Sequence, residues 1–261
     1  MNHVTSADGT KIAYETRGTG PALILIGGAF CDRRAKAAGL PLAELLAPSF
    51  TVTSYDRRSR GDSTEASPWS IEREVEDLAA LIAAAGGTAH LYGISSGALL
   101  AVEAAVRGLP VAKLALYEPP IVLDSERRPS DAFAAQLAEY ASTGRRGDAV
   151  ELFLTRVVQV PAPAIAGMKK SPMWSGLEAL AHTLAYDIRL TANAPALVDR
   201  AAGLQTPLAL WNGGASPPWM HEGARALAAA VAHGETRTLA GQTHDVDPRV
   251  LAPALVEWLS A

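Results

Sequence analysis

Residues 89–100, Ala89-His90-Leu91-Tyr92-Gly93-Ile94-Ser95-Ser96-Gly97-Ala98-Leu99-Leu100, decide the fold. The stretch starts with a short apolar run over 89–92, set off from the preceding helical pattern by Gly86-Gly87, and it reads as a buried strand. A helical pattern rich in Ala, Leu and Val follows over 96–107. Between them lies Gly93-Ile94-Ser95-Ser96-Gly97. A serine at the tip of so tight a strand-to-helix turn needs a positive φ, and its neighbours two positions away must lack bulk, a demand that glycine on both sides meets. Such a turn lifts the serine oxygen above the sheet edge. It also sets the unpaired N–H groups of a helix N-terminus beside an oxygen that would become negative during acyl transfer. Gly-x-Ser-x-Gly occurs by chance in plain turns, but strand before and helix after make Ser95 a candidate nucleophile.

Working outward, strand patterns are expected at 11–15, 22–26, 50–55, 111–117, 207–211 and 236–239, and helices at 71–85, 218–232 and 249–260. Strands alternating with helices make a parallel sheet with helices on both faces, an α/β fold with right-handed crossovers. The alternation stops between residues 121 and 200, where only helical patterns occur, at 131–142, 149–159 and 176–191. The expected organisation is a core of residues 1–120 and 201–261, with 121–200 inserted as a helical cap over the ends of the strands.

Composition narrows the chemistry. The chain has 261 residues, half of them hydrophobic (49%) and 19% charged, enough apolar surface for one sizeable core. A formal charge of −4 gives no basic face for nucleic acid or an anionic membrane. The pairs Arg57-Arg58, Arg127-Arg128 and Lys169-Lys170 read as solvated loops. The single cysteine, Cys31, rules out an internal disulfide and fits a reducing compartment. Residues 1–11 lack the apolar core of a signal peptide, so a cytoplasmic protein with a small-molecule partner is expected; the oligomeric state is left open.

Among six histidines, His244 in Gly241-Gln242-Thr243-His244-Asp245-Val246 follows the last strand and precedes the last helix. That loop lies on the same sheet edge as Ser95, which makes His244 the candidate general base. No histidine pair has metal-site spacing, and neither metal nor cofactor is expected.

Tyr55-Asp56-Arg57-Arg58-Ser59-Arg60-Gly61-Asp62-Ser63, the turn at Ser95 and the His244 loop together resemble the α/β-hydrolase superfamily. The resemblance implies an eight-stranded, mostly parallel sheet, a helical cap after the sixth strand, and hydrolysis of esters or related bonds without a cofactor. The chain departs from the common pattern at Asn212-Gly213-Gly214-Ala215-Ser216-Pro217-Pro218, where many members carry the acid of the triad and this one has no carboxylate. Glu118, directly after the strand at 111–117, is the candidate acid; the haloalkane dehalogenases resemble it in placing the acid after the sixth strand, although their nucleophile is an aspartate. Asp245 and Asp247 are its rivals, and a carboxylate that merely binds backbone N–H groups at the mouth of the cap is the alternative role for Glu118.

The expected oxyanion donors are the N–H of Ser96 and one from the loop after the strand at 22–26, with Ala29 preferred to Phe30 because Gly27-Gly28 leaves the register open by one residue. Phe30, Trp174, His182 and Tyr186 are candidate substrate-lining residues. Core packing is the competing role for the cap residues, and His182 and Tyr186 share one helix face at four-residue spacing. Asp56, Arg57, Arg60 and Asp62 are expected to form an ion and hydrogen-bond network that braces the site wall. The reading that follows is a serine hydrolase of a small ester or lactone. Carbon–carbon bond hydrolysis, acyl transfer on the same triad, and a non-catalytic ligand-binding protein are the alternatives.

Overall fold

Eight strands build one sheet in a computed structural model that describes residues 1–65 and 67–261. In chain order they are β1 (Asn2–Thr5), β2 (Lys11–Arg17), β3 (Ala22–Ile26), β4 (Thr51–Tyr55), β5 (Ala89–Ile94), β6 (Val111–Tyr117), β7 (Leu208–Gly213) and β8 (Gly234–Leu239). Their order across the sheet is β1-β2-β4-β3-β5-β6-β7-β8. The pairs from β4 to β8 are parallel, and β1 and β2 join antiparallel at one edge. The mostly parallel α/β architecture is therefore present. Leu23 to Ile26 are fully buried, as continuous apolar strands must be when helices cover both faces.

One face is covered by α2 (Ile71–Ala84), α3 (Ser96–Val106), α9 (Ala194–Ala201) and α10 (Pro218–Ala230), which supply Leu78, Leu99, Leu197 and Leu227 to one apolar cluster. On the other face α1 (Leu40–Leu46) and α11 (Pro248–Ser260) bring Leu42 and Leu255 to a second. Ser70 accepts the Arg73 amide to cap α2, which carries Glu72 and Glu74 in its first turn, where the helix dipole favours negative charge.

Between β6 and β7 the chain is helical: α4 (Asp131–Ser142), α5 (Arg146–Phe153), α6 (Ala162–Met168), α7 (Met173–Leu180) and α8 (Leu184–Ala192) share a third cluster around Leu137, Phe153, Leu184 and Ile188. The helix expected over 149–159 starts at Arg146 and ends in a π-helical turn, Leu154–Val158, stopped by Gln159 in the left-handed region (φ 61°). The helix expected over 176–191 is split by a 3₁₀ turn at Ala181–Thr183. The last helix of the segment, α9, packs back on the sheet through Ala194, Leu197 and Ala201. Among the described residues no helix is long and apolar enough to cross a membrane.

Candidate active site

The ends of four neighbouring strands are marked by the same backbone anomaly. Phe30, Ser59, Ser95 and Glu118, in the connections leaving β3, β4, β5 and β6, are non-glycine residues with positive φ (58°, 64°, 57° and 46°). L-residues avoid this region, and where packing imposes it the strain tends to mark a functional edge. Gln159 is the fifth such residue among those described, and it lies in the helical segment.

Ser95 is the N-cap of α3 with φ 57° and ψ −131°, and its amide donates to the Tyr117 carbonyl (2.9 Å), so the turn is held against the end of β6. The flanking glycines are required by close approach. A Cβ on Gly93 would lie 2.5 Å from the Gly97 carbonyl oxygen, and one on Gly97 only 2.3 Å from that of Ile26. Gly28 abuts the serine itself: its Cβ would sit 2.8 Å from Ser95 Cβ.

One residue beyond Tyr117, Glu118 is fully buried and its carboxylate accepts hydrogen bonds from more than one element. The Gly213 amide gives a hydrogen bond to Oε1 (2.7 Å), and His244 Nδ1 lies 2.8 Å from Oε2. Burial opposes ionisation of Glu118. The hydrogen bonds from His244, the Ser216 side chain and the Gly213 amide outweigh it and hold the carboxyl below its ordinary value. The other ring nitrogen of His244, Nε2, faces away from that carboxylate.

The histidine loop is pinned from three sides. The Tyr117 hydroxyl donates to the Thr243 carbonyl (2.7 Å), the Ala215 amide to that of Gln242 (2.9 Å), and Gln242 Oε1 accepts the Asp247 amide (2.9 Å). The two rival carboxylates are engaged elsewhere: Asp247 caps α11 by accepting the Arg249 amide (2.9 Å), and the exposed Asp245 meets Lys36 (3.2 Å).

Of the expected oxyanion donors, Ser96 opens α3 and Ala29 follows Gly28 in the loop after β3. Ala29 and Phe30 pack against the helical segment's cluster, to which Trp174 belongs, and the Phe30 ring meets Phe153 edge-on at 5.4 Å. Trp174 is nearly buried there and donates Nε1–H to Glu178 (3.0 Å). His182, through one ring nitrogen, and Tyr186, through its hydroxyl, bind the loop after β4. His182 Nε2 is 2.8 Å from the Ser59 carbonyl oxygen, and Tyr186 hydrogen-bonds the Ser59 side chain while stacking on Trp69 at 4.7 Å.

That loop departs most from the sequence reading. Arg57 and Arg58 are not solvated; they are 2% and 1% exposed. Nor do Arg57 and Arg60 pair with Asp56 and Asp62, whose carboxylates both bind Arg33. Arg57 forks onto Glu74 (2.6 and 2.5 Å), Arg58 onto Asp77 (2.8 and 2.6 Å), and both Arg57 and Arg60 reach Asp187 on α8. Sequence reasoning does not single out Asp187. The available signal was the loop's own composition, since three arginines beside a buried strand end need more carboxylates than the loop contains.

Residues 23–256 match the model of the alpha/beta hydrolase family. An alpha/beta hydrolase from Sphaerobacter thermophilus DSM 20745 is 46% identical and superposes with a TM-score of 0.90, covering 99% of this chain and 100% of its own. The enol-lactonase from Burkholderia xenovorans LB400, 21% identical with a TM-score of 0.74, spans 100% of both chains and shares the fold. The Uncharacterized hydrolase YraK of Bacillus subtilis (strain 168) is 27% identical over 157 residues, and the match spans 58% of this chain and 56% of that relative. The chain belongs to the alpha/beta hydrolase family and is, in general terms, a hydrolase.

Proposed function

We propose that the protein is a serine hydrolase that cleaves small carboxylic esters or lactones through an acyl-enzyme. The observation that carries this reading is the 2.8 Å contact between His244 Nδ1 and the buried Glu118 carboxylate, on the sheet edge where Ser95 stands in its strained turn. A carboxylate on Nδ1 keeps a proton on that nitrogen, so Nε2 is free to accept one. Ser95 Oγ then attacks the substrate carbonyl carbon while its proton passes to His244 Nε2. The carbonyl oxygen takes the negative charge and lies against the N–H groups of Ala29 and Ser96. Collapse breaks the bond to the leaving alkoxide, which takes the proton from Nε2. Water repeats the sequence on the acyl-enzyme: its proton goes to Nε2, its oxygen bonds the acyl carbon, and Ser95 recovers the proton as the acid departs.

In this reading the helices between β6 and β7 act as a cap, and Phe30 with its Phe153 contact forms the apolar wall on the acyl side. Labelling with a fluorophosphonate and mapping the modified peptide tests the reading. The adduct is expected on Ser95 and nowhere else, and Ser95→Ala is expected to lose both label and, by about 10⁵-fold or more, turnover. Near-native turnover in Ser95→Ala refutes the reading.

A further inference from the structure

Asp187 lies far along the chain from Ser95, on α8 of the helical segment, yet its buried carboxylate meets the residue that follows the nucleophile. Oδ1 accepts the Ser96 hydroxyl (2.7 Å) and Arg57 Nη1 (2.8 Å), and Arg60 Nη2 lies 3.0 and 2.9 Å from Oδ1 and Oδ2. The same two arginines continue to the other side of the site. Arg57 Nη1 also donates to the Gly27 carbonyl (3.3 Å), and Arg60 Nη1 donates to the carbonyls of Gly28 and Cys31.

The Gly28 carbonyl and the Ala29 N–H belong to one planar trans peptide unit and point in opposite directions. A guanidinium that grips the carbonyl from behind therefore aims the N–H forward. At the other donor, the Ser96 hydroxyl bound to Asp187 ties the first residue of α3, directly after the nucleophile, to the same carboxylate. From these contacts the geometry points to Asp187 as the positioning residue of the oxyanion hole: a single carboxylate, lent by the helical segment, that sets both backbone donors. The inference rests on the serine-hydrolase reading above.

Net stability is a poor explanation for this cluster. Burying a carboxylate with two guanidiniums costs desolvation that their attraction roughly balances, so such groups are often no more stabilising than apolar packing. Asp187 nevertheless stays ionised: burial opposes this, and Arg60 and Arg57 overcome it. Its bonds are directed at the two backbone segments that transition-state charge would meet, where a misplacement of about 1 Å costs on the order of 10²-fold.

The test uses full-length protein carrying Asp187→Asn or Ser96→Ala, with p-nitrophenyl acetate as substrate and an aryl trifluoromethyl ketone as inhibitor, whose adduct with the serine places an oxyanion in the hole. Asp187→Asn is expected to lower kcat by about 10- to 100-fold with KM changed by less than about threefold, and to raise the ketone's Ki by a similar factor. Ser96→Ala removes the hydroxyl but keeps the backbone donor, so it should move kcat and Ki in the same directions by about 3- to 10-fold. Asp77→Asn, which loosens the buried Arg58 pair, serves as the structural control: it should lower the melting temperature and leave Ki unchanged. Should Asp187→Asn fail to fold, Ser96→Ala decides. If the folded variants keep native kcat and Ki, or lose kcat without weakening the ketone, while fluorophosphonate still labels Ser95, the inference about Asp187 is overturned and the serine reading stands. No labelling of Ser95 in the native protein overturns both.

Discussion

Replacing Glu118 by Gln tests the link between His244 and its buried acid with almost no change of volume. Two effects of the substitution can be worked from the geometry. The first is the loss of charge opposite the imidazolium that forms as Ser95 attacks. With Nδ1 2.8 Å from Oε2, the charge centres are about 4 Å apart, which at an effective dielectric of about 20 is ~4 kcal/mol, or about three powers of ten in rate. Because the His244 side chain is 41% exposed, water screens part of this.

The second effect is directional. Oε1 accepts the Gly213 amide at 2.7 Å, so a glutamine must keep its carbonyl oxygen there and turn its NH₂ toward Nδ1. That donor stabilises the tautomer with its proton on Nε2, which cannot take the serine proton. Together the two effects predict a fall in kcat of about 10³-fold, with KM within about threefold of native. Initial rates on p-nitrophenyl acetate, measured on monodisperse protein with a native circular dichroism spectrum, check it. Asp247→Asn is the comparison and should cost less than about twofold, since asparagine caps a helix as well as aspartate. A folded Glu118→Gln variant within about tenfold of native, or an Asp247→Asn variant as damaged as it, refutes the reasoning.

His244→Ala should lose nearly as much turnover as Ser95→Ala, and the double variant should be no worse than the poorer single one, because the residues act as a unit; multiplicative losses in single-turnover rates would contradict this. Gly28→Ala pushes a methyl to 2.8 Å from Ser95 Cβ, so labelling of Ser95 by fluorophosphonate should slow by about 100-fold, and the overpacked turn should lower the melting temperature as well. The pH profile is also constrained. Hydrogen bonds hold the Glu118 carboxyl below its ordinary value, so it remains ionised from about pH 5 upward and should add no proton uptake to the kcat/KM profile above that point. A slope of two in that range would mean that a second group titrates.

The strands at the centre of the sheet were legible because burial on both faces leaves a largely apolar run, unbroken in 22–26 and interrupted only by Lys113 in 111–117, and these coincide with β3 and β6. The helical pattern at 131–142 likewise coincides with α4, which Ser130 caps by accepting the Phe133 amide. β1 carries no such signal, since Asn2–Thr5 is polar and mostly exposed and is a strand only because β2 pairs with it. β7 runs two residues past the expected end at Trp211, because pairing of Asn212 and Gly213 with β8 overrides the turn preference of those residues. The short helices α1, α6 and α9 begin with proline near their N-termini and are too brief to show a period. At the site, Ser95, His244 and Glu118 could be singled out because each stands at a strand end, a position the pattern of elements reveals. Asp187 could not, since what matters there is which of many carboxylates reaches Arg57 and Arg60 from across the fold, a distance of 130 and 127 residues.

The two borders of the sheet carry a consequence for how molecules of this protein meet. At one border β1 is only four residues long and bears mostly exposed polar side chains; at the other, β8 turns Glu235 and Arg237 outward, the arginine tied to Glu235 and Glu257. Brief, charged borders are poor templates for a neighbour's backbone. Strand addition into fibrils or edge-to-edge dimers is thereby disfavoured at both borders.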